Sequence, residues 1–218
     1  QLSKALALVT EFNKLPKKTK IKTMSPLALS TIARKPNDTI AFGKSEIIVR
    51  ANVEEILAFF WHFDSRARRK PSDLERTLIH DVSLNNSIGY ICKRGLRKGI
   101  IHLRPRDGVN SNIWKRMEDG TIVFVSTPST HPQKPVVPER VRVKMPFLAQ
   151  IQQLSPTKCK LVIILSLGLG ELVPDLILDS SIKRNLQVAE TMQQYFQELR
   201  PLDLLDENDG EAMGERSR

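Results

Sequence analysis

A chain of 218 residues, 40% hydrophobic and 27% charged, is long enough to bury one substantial core, and it holds no run of eighteen apolar residues able to span a bilayer as a helix. Its formal charge of +10 points to an anionic partner, a membrane surface or nucleic acid, or else to a plainly solvated basic exterior. Two cysteines, Cys92 and Cys159, read as reduced buried thiols of a cytosolic protein rather than a disulfide scaffold, and four scattered histidines offer no metal-ligand spacing.

In chain order, Leu2, Ala5, Leu6, Leu8, Val9 and Phe12 repeat with helical spacing until Pro16 and a lysine run end the pattern. Ser25 and Pro26 suit the start of a second helix over residues 25–35, so residues 1–44 are expected to form a basic, helical extension. Residues 45–50 read as a strand. Asn52 then caps a helix running to about residue 64, with Glu54 and Glu55 in its first turn and Ile56, Phe59, Phe60 and Phe63 on its apolar face.

A succession of strands follows over residues 75–82, 88–94, 109–117 and 122–127, divided by Asn85-Asn86 and Asp119-Gly120. Residues 95–107 and 128–138 read as long connections. Arg140, Arg142 and Lys144 alternate with Val141, Val143 and Met145, a further strand with one wet cationic face. Residues 158–167 are nearly all apolar, as a central strand covered on both faces requires. Beyond Gly168, Gly170 and Pro174 the period changes to 3.6. Leu178, Ile182, Leu186, Ala189, Met192, Phe196 and Leu199 then form one stripe of a long helix. The fold class is therefore α+β: a curved antiparallel sheet wrapped around a long C-terminal helix. Residues 201–218 make an acidic tail, expected to be disordered.

Arg106-Asp107, Trp114-Lys115-Arg116, Asp119-Gly120, His131-Pro132, Pro135 and Val141-Arg142 occur in order. With the strand-to-helix entry around Asn52, they make residues 45–200 resemble the START domain, the steroidogenic-acute-regulatory-related lipid-transfer family of helix-grip architecture. Where that family places an aromatic or bulky apolar residue after the Arg-Asp pair, this chain has Gly108.

The resemblance implies a tunnel for one lipid or sterol between sheet and last helix, gated by that helix and the loop before Arg106. The expected wall comprises Arg106, Asp107, Phe124 and Met145 with the helical stripe Leu178, Ile182, Leu186, Ala189, Met192 and Phe196. Which alternate set of strand residues faces inward needs the sheet's register. The expected gate is Ile100, Ile101 and Leu103 with a hinge at Gly168 and Gly170; a second reading makes Ile100 and Ile101 simple core residues of a strand.

Enzyme signatures are missing. Gly168-Leu169-Gly170 lacks the third glycine of a dinucleotide loop, and no GxSxG, P-loop or HExxH motif occurs. The reading is a non-catalytic, cofactor-free domain, cytoplasmic and peripheral to membranes, that exchanges its ligand at an anionic surface. Two alternatives stand beside it. One is a ligand-sensing module coupled to further domains of a longer polypeptide. The other is an RNA- or anion-binding module, disfavoured because no aromatics interleave the cationic strand.

Overall fold

The computed structural model describes residues 2–34, 39–98, 101–170 and 173–199, and the acidic tail lies outside them. Helix α1 (Leu2–Lys14) leads into strands β1 (Lys18–Ile21), β2 (Leu29–Arg34) and β3 (Ile40–Val49). Helix α2 (Val53–Trp61) and a 3-10 turn (Arg66–Arg68) precede β4 (Asp73–Ser83), β5 (Asn86–Lys93), β6 (Leu96–Lys98) and β7 (Ile101–Leu103). Then come β8 (Arg106–Arg116), β9 (Ile122–Pro128), β10 (Val141–Arg142), β11 (Phe147–Ser155) and β12 (Lys158–Gly168). Two helices end the described residues, α3 (Asp175–Leu186) and α4 (Val188–Leu199).

One large sheet runs β1-β2-β3-β12-β11-β9-β8-β5-β4, all antiparallel, while β10 joins β8 in parallel. The sheet thus starts well before residue 45. Residues 29–34 are strand, not the expected helix: Ser30 faces Ser45 across β3, their hydroxyls bonded at 2.9 Å, and Ile32 and Ala33 bury on opposite faces. That pairing outweighs a cap-like Ser-Pro, which instead shapes a turn.

The register assigns the inward face. Ile122 and Phe124 of β9, with Leu161, Ile163, Leu165 and Leu167 of β12, enter the main core under α2, α3 and α4. Val123, Val125 and Ile164 turn to the other face, where Leu8 and Phe12 of α1 cover them. The expectation of a doubly covered β12 is met, and α1 is what covers its outer side. Helix α2 starts as the sequence indicates: Asn52 Oδ1 accepts from Glu55 N at 2.9 Å, and Glu55 Oε2 accepts from Asn52 N at 2.8 Å. Such a reciprocal cap contributes about 1 kcal/mol.

The C-terminal helix is interrupted at Gln187. Ser181 Oγ and Asn185 Nδ2 donate to carbonyls four residues earlier, at 2.8 Å each, and Thr191 Oγ1 does the same to Gln187 O at 3.0 Å. Back-bonding of this kind loosens the ladder and bends a helix. No described helix is long and apolar enough to cross a membrane.

Candidate functional site

The helices do not cover the sheet evenly. Over β3, α3 presses so close that a Cβ on Gly43 would stand 2.7 Å from Ile182 Cγ2 and 3.0 Å from Leu186 Cδ1. Over β8, β9 and β5 the helix stands off, leaving a cavity of about 230 Å³. Its floor is aromatic. Phe60 stacks on Phe124 at 5.3 Å between centroids, and Phe147 meets both at 5.5 and 6.3 Å. Met145, Val143, Leu165, Leu167 and Leu169 extend this apolar wall.

Facing it are Ile177, Ser181, Arg184, Asn185, Val188 and Thr191 of α3 and α4. The expected helical stripe takes another place. Leu178, Ile182, Leu186, Ala189, Met192 and Phe196 are buried in the core, and none lines the cavity. A stripe this apolar seals against sheet, and the cavity falls to the mixed face beside it. A second hollow lies among Lys17, Ile32, Arg34, Asp179 and Lys183, and it lacks an aromatic floor.

Arg106, Asp107, Phe124 and Met145 do border the cavity. Asp107, however, is 3% exposed and spends its carboxylate structurally. Arg142 Nε and a terminal nitrogen donate to its two oxygens at 2.7 and 3.1 Å, and Tyr90 Oη donates at 3.0 Å. Arg142 also donates to the carbonyls of Lys134 and Pro135, at 3.0 Å each. The Arg-Asp, His-Pro-x-x-Pro and Val-Arg motifs are therefore one clamp joining β8, β10 and the proline-rich excursion. The same clamp explains why residues 140–145 are not one strand. Val141 and Arg142 pair with Arg106 and Asp107, Lys144 makes a single bridge to Gly168 instead, and Pro146 separates them from β11. Burial and Asp107 raise the Tyr90 phenol well above its ordinary range, so it remains a donor.

The connection before Arg106 is a small hairpin, β6–β7, in a two-stranded sheet of its own. Leu96 and Leu103 line the cavity beneath it. Ile100 lies outside the described residues, and Ile101 is placed by its backbone alone. Gly95 permits the crossing, since a Cβ there would lie 2.3 Å from Leu103 O. Gly168 ends β12, and Gly170 has φ of +74° with a Cβ position 2.7 Å from Val141 Cγ1. Those glycines therefore fit a tight bend under β10.

Sequence reading missed the polar side of the cavity. Asn110, Asn112 and Ser126 face it, and so do Arg68, Lys70, Arg76 and Lys93. Arg68 lies over the rings of Phe59, Phe60 and Phe63 at 6.0, 5.8 and 5.4 Å and donates to Phe60 O at 2.6 Å. Burial, aided by Arg76, lowers its pKa to about 9. The charged run 66–73 reads in sequence as a connection around Pro71; the signal that it turns inward is the aromatic-rich helix just before it. Cys159 is buried, and burial with nearby Glu54 and Glu55 pushes its thiol up to about 12; Cys92 is buried too and also raised, chiefly by burial. Both are free and inert.

Among the described residues no group of three or more His, Cys, Asp or Glu side chains gathers to hold a metal. No curated protein matches the chain. Solved structures do. Human StAR-related lipid transfer protein 5 superposes with a TM-score of 0.69 at 19% identity, over 91% of this chain and 97% of that one. Human STARD10 gives 0.67 at 13% identity, over 89% and 82%. The STAR-related lipid transfer protein from Xanthomonas axonopodis gives 0.67 at 11%, over 83% and 98%. At such identities the likeness is one of fold. Residues 77–201 match the family model for the START domain, and since that stretch is more than half of the chain, the protein belongs to the START domain family.

Proposed function

We propose that this domain encloses one lipid or sterol molecule in the cavity beneath α3 and α4 and exchanges it with a membrane. The observation that carries the reading is the uneven cover of the sheet. A helix pair sealed on β3 stands off β8 and β9 over an aromatic floor. Moving a lipid tail onto such a floor contributes roughly 25 cal/mol for each Å² of apolar surface removed from water. The family membership and the lipid-transfer names of its structural relatives support the same reading.

Exchange requires an opening. The β6–β7 hairpin is the element best suited to it, being paired only with itself and roofing the cavity through Leu96 and Leu103. The basic exterior favours residence at an anionic bilayer during the encounter, which is peripheral. The test is uptake: delipidated protein is mixed with vesicles carrying labelled sterol, phospholipid or ceramide, then separated and weighed by native mass spectrometry. One lipid per chain is the expected result. Protein that emerges empty from every vesicle type overturns the proposal.

A further inference from the structure

One end of the cavity carries far more positive charge than its surroundings balance. Arg68, Lys70, Arg76, Lys93 and Arg184 all line it, contributed by the 66–73 connection, β4, β5 and α3. They lie close enough to act on one another. Lys70 Nζ reaches Arg184 O at 3.5 Å, and the charges of Lys70, Arg76 and Arg184 all bear on Lys93. The carboxylate that acts on Arg68, Lys70 and Lys93 is that of Asp73. It is already engaged: its Oδ2 accepts from Arg76 Nε at 2.9 Å and from Lys70 N at 3.2 Å, and its Oδ1 has no hydrogen-bond partner. Asp107, the acid that borders the cavity, belongs to Arg142.

We propose that the ligand is an amphiphile with an anionic head, a phosphate or carboxylate, seated between Lys93, Lys70, Arg68 and Arg184 with its tail on the Phe124–Phe147 floor. This rests on the lipid-binding reading and adds the class of head. Five cations gathered around one partly spent carboxylate at the rim of a low-dielectric hollow are held at a cost to the empty protein. Burial and mutual repulsion lower the pKa of both lysines, Lys93 to about 8. An anionic head removes that cost and accepts several charge-assisted hydrogen bonds, whereas a neutral sterol or diglyceride leaves the cations as they are.

The discriminating pair of probes is phosphatidic acid and diacylglycerol with the same acyl chains, each in phosphatidylcholine vesicles. Lipid is counted on the protein after the vesicles are removed, so adhesion to a charged surface does not register. Wild type is expected to carry phosphatidic acid in at least about tenfold preference, the worth of one good charge-assisted contact. The double variant K93Q/R184Q, checked for an unchanged fold by circular dichroism, is expected to lose that preference. Equal uptake of the two lipids by wild type overturns the inference and leaves the lipid-binding reading intact, as does an equal loss of both in the variant. Failure to carry any lipid overturns both. Lysine-dependent binding of inorganic phosphate without uptake of phosphatidic acid overturns the lipid head in favour of a soluble anion.

Discussion

Along β3 the concave face of the sheet is filled to contact, and along β8 it is hollow; each half is held in its own way. The β3 half relies on apolar packing, with the Leu178–Phe196 stripe pressed onto a strand that has glycine where the helix crosses. The β8 half has less to pack against, and it is fixed from its other side by the Asp107–Arg142 clamp. The contrast shows how the fold makes room for a ligand: space is left where polar anchoring replaces helix packing. If so, damage to the clamp and damage to the seal should have separable consequences.

Asp107→Ala should have the largest effect. It strands Arg142, 15% exposed at its side chain, without its carboxylate, and removing one partner of such a pair costs about 3–5 kcal/mol. Urea unfolding should register that loss. Asp107→Asn, which keeps hydrogen bonding, should lose less. Equal stability for wild type and the alanine variant would show that the open half is held by something else.

Gly43→Leu comes next. Its side chain has to displace Ile182 and Leu186, and overpacking of this kind costs about 1–3 kcal/mol. Gly108→Leu is its counterpart on the hollow side. A Cβ there meets nothing closer than Val143 O at 3.7 Å, so its stability cost should stay below about 1.5 kcal/mol. Lipid uptake should nevertheless fall sharply, because the side chain enters the cavity alongside Asn110 and Asn112. A Gly108 variant that unfolds as easily as the Gly43 variant would erase the distinction between the halves.

The sheet, the α2 cap, β12 and the apolar stripe are all legible in sequence because each follows from local periodicity or capping chemistry. Ser30 and Ile32 are not, since only pairing with β3 makes them strand. The site divides in the same way. Alternation puts Phe124 and Met145 in apolar sets, but only the sheet's register turns such a set inward, and the placement of the stripe is no more legible: period 3.6 says which residues bury, and only the tilt of α3 says whether they meet sheet or cavity. Arg68, Lys70 and Lys93 look like surface charge because nothing local in a run of cations says that a chain fold will turn it inward.

The smallest expected effect concerns the cationic end. Lys93→Met should stabilise the empty protein by about 0.5–1 kcal/mol at neutral pH, a modest sum because the residue keeps some solvent contact. The groups acting on it are Lys70, Arg76 and Arg184, all cationic, with Asp73 the one acid among them. Its folded pKa of about 8 lies below the ordinary 10.5. Between those values the unfolded chain holds a proton that the folded chain has released, so wild-type stability rises with pH across that window. The methionine variant lacks this slope. Its advantage should be complete below pH 8 and should shrink as pH climbs toward 10.5, as parallel urea titrations can show. An advantage that stays constant with pH would mean that Lys93 is disfavoured by shape rather than by charge, and the case for an anionic head would lose its electrostatic support.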